Sequence, residues 1–326
     1  MCGIAGVINF KNEKIDKKSI TSMVKSIDHR GPNDNGIYFN KNFALGSTRL
    51  SIIDLSKDGH MPMFSKDRRY VIVSNGEIYN HVELRKELSK DYDFKSQSDT
   101  EVVLAAYGKW GKSALNKFNG MFSFVIYDHY KNSFFAARDR YGIKPFYYYF
   151  DKEKLIFCSE ISPIVENFSF LKEPDDLTIY NYLIFNKTNQ SENTFFKKIK
   201  KLQHGHYLTI NNSSVNISKW YDINENLDKP ILEANDLNEL IYDSIKLRLR
   251  SDVPVGACLS GGLDSSIIVG NVFHNFGRKD IHTFSAVYNQ NQIGDETEYI
   301  NEFSNELNNM HFTKPTAKSL YNDYQD

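Results

Sequence analysis

The sequence predicts an α+β layered domain followed by the start of an α/β domain with a parallel sheet. Three observations carry this. Up to about residue 213, short β-branched and aromatic runs dominate and helical periodicity is sparse. A polar stretch, Asn224–Pro230, then ends in proline as a linker does. Beyond it, strand, glycine-rich turn, helix and strand alternate, the signature of βαβ units. The length of 326 residues suits about two domains.

Taken in order, Cys2–Asn9 opens with small and β-branched residues and reads as a strand. Ile20, Met23, Val24 and Ile27 fall at i, i+3, i+4, i+7 and read as a helix. Tyr70–Ser74 is the next strand. A second helix is expected from Ser98 or Asp99, where Ser98 and Glu101 have capping-box spacing. Met121–Tyr127, Phe134–Ala137, Phe146–Phe150 and Leu155–Cys158 complete the strands, and Asn211–Ser214 is a turn signal. We expect the first domain over 2–213, a linker over 214–232 and the second domain over 233–326. In the latter, Leu237, Leu240, Ile241, Ile245 and Leu249 mark an amphipathic helix. Val253–Leu259 reads as a strand, with a helix following through Ile267, Ile268 and Val272. Ile281–Val287 is another strand and Glu296–Leu307 another helix.

Composition narrows the function. Forty lysines and arginines against 41 aspartates and glutamates leave a net charge of −1, which excludes a strongly polycationic nucleic-acid binder. No apolar run approaches the ~20 residues that span a bilayer. The N-terminus lacks the basic and apolar segments of a secretory signal. Three cysteines (Cys2, Cys158, Cys258) build no disulfide framework, so a reducing cytoplasm is the expected location. Cys158 and Cys258 lie on apolar strands and are expected to be buried and inert.

Cys2 carries the first chemical signal. If Met1 is removed, a free α-amine stands beside the thiol. A thiol with a reference pKa of ~8.5 needs a base at neutral pH, and an α-amine near ~8 can supply it. The alternative is a cysteine that merely follows the initiator. Five further segments accompany it in order. They are His29-Arg30-Gly31-Pro32, Gly46–Asp54, Asn75-Gly76-Glu77-Ile78-Tyr79-Asn80, Ser98-Asp99-Thr100-Glu101 and Arg138–Pro145. With Cys2-Gly3-Ile4-Ala5-Gly6, this set closely resembles the class II glutamine amidotransferases over about residues 2–210. The resemblance implies an N-terminal-nucleophile fold, a four-layer αββα sandwich.

Glutamine hydrolysis is acyl transfer and needs a nucleophile and placed oxyanion donors. The resemblance implies Cys2 as nucleophile, with the Asn75 side chain and the Gly76 backbone N–H as donors. A glycine at 76 is expected for a backbone dihedral that other residues avoid. The glutamine-binding residues it implies are Arg49, Ile53, Asn75, Gly76, Glu77 and Asp99. Arg49 suits the α-carboxylate as a guanidinium fork, and Asp99, assisted by Glu77, suits the α-ammonium. Each has a structural alternative: a helix N-cap for Asp99, an ion pair for Arg49, a type I′ turn for Asn75-Gly76. His29 and Arg30 are expected to shape a loop near the nucleophile rather than react.

In the second domain, Val255–Ser266 runs strand, turn, helix around Ser260-Gly261-Gly262-Leu263-Asp264-Ser265-Ser266. Backbone N–H groups at a helix start bind anions, and glycines let phosphate approach. The spacing is neither a Walker A loop nor a Rossmann fingerprint. It resembles the Ser-Gly-Gly-x-Asp-Ser loop of the ATP pyrophosphatases, which implies ATP contacts at Leu259, Ser260, Gly261, Gly262, Asp264, Ser265, Ser266 and Val287. For Leu259 and Val287, buried strand core is the equal alternative. Asp264 could orient Mg²⁺ or a phosphate-bound water; no metal ligand is identified beyond that.

The two halves in this order resemble glutamine-dependent asparagine synthetases. The implied substrates are glutamine, aspartate and ATP, with Mg²⁺ accompanying ATP, no nucleic acid and no membrane, and room for a homodimer. Ammonia from Cys2 would pass by a tunnel to β-aspartyl-AMP. Cys2 argues against a β-lactam synthetase, and Ser260–Ser266 against the phosphosugar and phosphoribosyl amidotransferases. Two departures from the family pattern, Asn33 and Met61, are expected to touch no catalytic group. Family members continue past Asp326 to a second pyrophosphate loop. The expectation is an intact glutaminase with weak or absent asparagine synthesis by this polypeptide alone, the alternatives being a glutamine hydrolase only or a non-catalytic glutamine- and ATP-binding relic.

Overall fold

The computed structural model describes all residues except 12, 212–213, 228–232, 289–294, 317, 320 and 322–326. It divides into two units, Met1–Lys229 and Pro230–Asp326.

The first unit begins with β1 (Gly3–Asn9), α1 (Lys17–Ser26), β2 (Asp34–Phe39), β3 (Phe43–Arg49), β4 (Met63–Phe64), β5 (Tyr70–Ile78), α2 (His81–Leu88) and α3 (Asp99–Trp110). It continues with β6 (Gly120–Asp128), β7 (Ser133–Arg138), β8 (Tyr147–Phe150), β9 (Lys154–Cys158), α4 (Ser162–Asn167), α5 (Asp176–Phe185), β10 (Lys200–Lys201), β11 (His206–Asn211) and β12 (Ser214–Lys219). Two six-stranded sheets result, ordered β10-β8-β9-β1-β3-β2 and β12-β11-β7-β6-β5-β4.

Period-2 alternation explains how the layers stack. Along β1, Ile4 and Ile8 point between the sheets, where they meet Phe43, Leu45, Val71, Val73, Val125 and Phe134. Their neighbours Ala5 and Val7 face the other way, onto Ile20, Met23 and Val24 of α1 and Ile164 of α4. On the second sheet, Ile72, Ile78, Phe122 and Phe124 receive Leu84 and Leu88 of α2 and Val102, Val103 and Ala106 of α3. Helices, sheet, sheet and helices therefore form the αββα sandwich that the motif resemblance implies.

Local rules account for the helix starts. Asp16 caps α1, its carboxylate accepting from Lys18 N at 3.0 Å. Ser98 caps α3, its hydroxyl accepting from Thr100 N at 3.2 Å. The expected capping box does not close. Glu101 turns instead to Lys95 N, Ser96 N and Ser96 Oγ and ties down the preceding loop.

Four strands correct the sequence reading. The strand expected over Tyr70–Ser74 runs on to Ile78, so Asn75-Gly76 lies within a strand paired to Ser123 and Phe122, not in a turn. The linker expected from 214 begins as β12, which pairs with β11 from Asn211↔Ser214 to His206↔Lys219. Its alternation places Val215 against the inter-sheet core, the period-2 signal that the polar neighbours obscured. The turn expected at 211–214 rests on residues 212 and 213, outside the described residues. β2 and β3, which no strand signal marked, pair with each other, and β3 pairs with β1.

The second unit contains α6 (Ala234–Arg248), β13 (Gly256–Cys258), α7 (Leu263–His274), β14 (His282–Ala286), α8 (Thr297–Asn301) and β15 (Asn309–Thr313). The strands pair in parallel, β13-β14-β15. Ile245, Leu259, Val269, Val272, Ile281 and Ile300 form its core. The helix expected over Glu296–Leu307 stops at Asn301, where Phe303 N tightens to Ile300 O at 3.2 Å. Cys158 is buried, its thiol pushed up to about 12 by burial. Cys258 is exposed, contrary to expectation, because Leu259 takes the core side of its strand. Among the described residues, no helix is long and apolar enough to cross a membrane.

Candidate active site

The sandwich brings the predicted glutaminase residues to one cavity of about 110 Å³, lined by Cys2, Arg49, Ile53, Asn75, Gly76, Glu77 and Asp99. Met1, Ile52, Met61, Met121 and Lys144 also line it. Cys2 precedes β1, Arg49 ends β3, Asn75–Glu77 lie on β5 and Asp99 opens α3. A larger groove of about 730 Å³ adjoins Tyr70, Tyr92 and Gly108, but its lysines are already paired, Lys66 with Asp93 and Lys109 with Asp91.

Cys2 is held from both sides. Arg30 Nε donates to Cys2 O at 3.0 Å, and Arg30 Nη1 to Glu160 Oε1 at 2.8 Å. Leu50 N donates to Cys2 Sγ at 3.4 Å. Burial pushes the thiol above its ordinary range; the Leu50 N–H and the Arg49 charge pull it down, and Asp99 pushes it up. The α-amine of Met1 is held below its ordinary value, chiefly by burial. His29 points to Glu160 at 2.9 Å and is largely exposed. The Arg30 loop thus holds the backbone of Cys2.

Arg49 is buried, and its guanidinium donates to Ser56 O at 3.0 Å, Ile53 O at 3.3 Å and Asp54 O. The Asp54 carboxylate accepts from Ser56 N at 3.0 Å and Gln97 N at 2.7 Å, which fastens this loop to the one preceding α3. The Asp99 carboxylate accepts from Ile78 N at 2.8 Å and is not the helix cap; Ser98 is.

Asn75 is fully buried, and both atoms of its amide lack a hydrogen-bond partner. An unsatisfied buried polar group costs about 1–3 kcal/mol. Such an arrangement persists where a ligand completes it. Gly76 is required by a contact, not by its dihedral. It has no positive φ, but a Cβ there would stand 2.2 Å from Met121 O and 2.6 Å from Phe122 Cα.

Glu77 is pushed up to about 7 by burial and by Asp99, with Lys144 pulling it down. Unfolded, it titrates near 4.5. The folded state therefore keeps a proton between these values that the unfolded chain has released. The penalty on folding is absent below about 4.5 and complete above about 7. We expect Glu77→Gln to be more stable than the parent by about 1–2 kcal/mol above pH 7, discounted for residual solvent contact. The advantage should vanish by about pH 4.5. Paired thermal melts across that range check it.

The sequence did not point to Met61 or Lys144. Met61, expected to touch no catalytic group, is buried and lines the cavity. The other departure, Asn33, accepts from Ser51 N at 3.0 Å, which needs only a carbonyl oxygen.

In the second unit the loop closes on itself. Ser265 Oγ accepts from Ser260 N at 3.2 Å and donates to Gly262 O at 3.0 Å. Ser260 Oγ accepts from Gly262 N at 3.3 Å, and Ser266 N donates to Gly262 O at 3.1 Å. Gly261 has φ +92°, so glycine is needed there, and a Cβ would also meet the Glu296 backbone. Asp264 sits in the first turn of α7. Leu259 is core, and both its backbone groups are engaged, N to Phe284 O and O with Ser285 Oγ. Val287 packs against the same core. No group of three or more His, Cys, Asp or Glu that could hold a metal occurs among the described residues. Asp264 fits Mg²⁺ only as one ligand beside nucleotide phosphates.

Residues 1–221 match the glutamine amidotransferase domain family, and residues 236–322 match the asparagine synthase family. The solved structure of the B. subtilis glutamine phosphoribosylpyrophosphate amidotransferase, complexed with ADP and GMP, shares the fold at TM-score 0.50 and 15% identity. That alignment covers 98% of this chain and 70% of the other. A putative asparagine synthetase [glutamine-hydrolyzing] 2 of Methanocaldococcus jannaschii is 37% identical over 99% of this chain and 67% of its own length. Asparagine synthetase [glutamine-hydrolyzing] 3 of Bacillus subtilis (strain 168) is 33% identical over 89% of this chain and 49% of its own length. The chain belongs to the glutamine-hydrolysing asparagine synthetase family. It spans about half to two thirds of the length of these curated relatives.

Proposed function

We propose that the first unit hydrolyses glutamine to glutamate and ammonia with Cys2 as nucleophile. The observation that carries this is the convergence of Cys2, Arg49, Asn75, Gly76, Glu77 and Asp99 on one cavity, with the Asn75 amide unpartnered there. Removal of Met1 leaves the α-amine on Cys2 and enlarges the cavity it lined. The amine takes the thiol proton as Sγ attacks the side-chain amide carbon of glutamine. Asn75 Nδ2 and Gly76 N receive the oxyanion. The amine returns the proton to the leaving nitrogen, ammonia departs, and water cleaves the thioester to glutamate. Arg49 takes the substrate carboxylate; Asp99 and Glu77 take its ammonium.

The second unit supports the reading that the ammonia serves asparagine synthesis. In that reaction ATP and aspartate give β-aspartyl-AMP and pyrophosphate, and ammonia displaces AMP to give asparagine. Ser260–Ser266, at the start of α7, suits the ATP phosphates. Mg²⁺ would travel with the nucleotide.

The test is glutamate release by the purified chain from glutamine without ATP, with intact-mass measurement of the N-terminus. Glutamate release, loss of Met1 and labelling of Cys2 by a glutamine-mimicking electrophile are expected. A retained Met1 with no glutamate release overturns the reading.

A further inference from the structure

The groove that the glutaminase site leaves unused has an apolar floor. Leu88 of α2, Leu104 and Ala105 of α3 and Tyr70 of β5 are buried there, with Tyr92 beside them. Its volume of about 730 Å³ falls among small-molecule pockets, which likewise set a few polar groups around an apolar floor.

The fold does not explain two features of that floor. Tyr70 is more than nine-tenths buried, yet its hydroxyl has no hydrogen-bond partner among the described residues; its bonds to Ser65 run through its backbone. Buried tyrosine hydroxyls ordinarily find a partner. This one is not sealed in by protein, and the space Tyr70 lines is the groove. Gly108 lies within α3, where glycine is a poorer helix former than alanine. A Cβ there would meet only Tyr70 Cε2 within 4 Å, at 3.4 Å, so packing does not demand a glycine. What the missing side chain leaves open is the floor.

The rim points to the occupant. Lys66, in the β4–β5 turn, pairs with Asp93 of the loop after α2, and Lys109 of α3 pairs with Asp91 of that loop at 2.7 Å. Arg69 is turned to Asp128 at 2.9 Å, and Asp67 to Ser65 Oγ at 2.6 Å and Arg69 N at 3.1 Å. The exchangeable charges are therefore two ammoniums and two carboxylates. Exposed ion pairs of this kind contribute little and reopen readily. A lone anion would free a carboxylate and add charge beside three aspartates. A zwitterion leaves both signs matched, its carboxylate on a lysine and its ammonium on the aspartate released. The Tyr70 and Tyr92 rings suit an aromatic body, and a tyrosine hydroxyl can donate to it or accept from it.

The groove is also tied to the glutamine pocket. Tyr92 OH donates at 3.4 Å to Glu101 Oε1, of the carboxylate that holds Lys95 N and Ser96 N. The next residue, Gln97, donates its N–H to Asp54, whose carbonyl Arg49 grips, and Asp99 lines the cavity itself.

We propose that this groove is an effector site for a free aromatic amino acid, bound as the zwitterion. Its binding fixes Tyr92 and the loop from Asp91 to Ser98 before glutamine arrives. Glutamine is then spared that ordering, and its KM falls. The binding is independent of the glutaminase reading; the effect on KM rests on it.

The experiment titrates L-tryptophan into the full chain by calorimetry. Indole-3-propionate, which lacks the ammonium, and tryptamine, which lacks the carboxylate, are the controls. We expect a single site with Kd on the order of 0.1 mM for tryptophan and binding at least about tenfold weaker for either control. Gly108→Leu fills the floor with a better helix former, so it should abolish binding while the melting temperature and the KM for glutamine without tryptophan stay at parent values. Tyr70→Phe should weaken binding about tenfold, and this arm decides the matter should Gly108→Leu fail to fold. Saturating tryptophan should lower KM for glutamine about threefold in the parent and leave it unmoved in Gly108→Leu. No binding of tryptophan, equal binding of a control, or parent-like binding by Gly108→Leu or Tyr70→Phe overturns the site. An unmoved KM in the parent overturns the effector role. A parent chain that releases no glutamate overturns the glutaminase reading and leaves the binding result standing.

Discussion

Cys2→Ala is expected to remove glutamate release from glutamine by at least about 10⁴-fold in kcat, because a covalent nucleophile has no substitute in the site. The fold should survive. The links that anchor residue 2 run through its backbone, from Arg30 Nε to its carbonyl and onward into β1. Among the described residues, the hydrogen bonds lost are the long ones between Sγ and the Leu50 backbone. The upward push on the thiol matters for the alternative outcome. At neutral pH the sulfur carries its proton, so hydrolysis needs a base in contact with it. Among the side chains lining the cavity there is no histidine. In the proposed reaction the α-amine released by loss of Met1 fills that role, so acetylation of the mature N-terminus should abolish glutamate release as completely as the mutation. Kinetics of glutamate release, with melting temperatures alongside, check both forms. Unchanged release by Cys2→Ala would dismiss the nucleophile.

What the sequence revealed of this arrangement depends on how local the signal was. Apolar alternation in β6, β7 and β9 and the i, i+3, i+4 spacing in α1 are encoded within a few residues, and those elements fall where expected. β2 and β3 were missed because Gly36 and Gly46 are poor strand formers alone. They are strands because β3 lies beside β1 and β2 beside β3, and a Cβ at Gly46 would run into Val24 of α1 at 2.3 Å. Asn75-Gly76 looked like a turn for the same reason. Its requirement for glycine comes from β6 crossing close by, which no window of sequence contains. The motifs named the residues of the cavity but not their mechanics. That Glu101 pins a loop instead of closing a capping box, or that Met61 walls the site, follows from tertiary contacts alone.

Asn75→Ala separates an oxyanion donor from a structural amide. In the proposed reaction negative charge appears on the substrate oxygen only in the tetrahedral state, so the donor acts on kcat and leaves ground-state binding nearly alone. We expect kcat to fall by about 10²–10³-fold with KM within about threefold. The stability side runs opposite to ordinary experience with buried polar residues. Deleting a buried asparagine normally orphans its partners. Here neither amide atom has a partner, so no hydrogen bond is lost and an unpaid desolvation disappears. The small cavity left behind offsets that gain, and the melting temperature should stay within a few degrees of the parent. A structural asparagine gives the reverse pattern, with stability lost and kcat kept. The two measurements on one variant therefore assign the residue, and they do so through the same unpartnered amide that makes the apo site costly to fold.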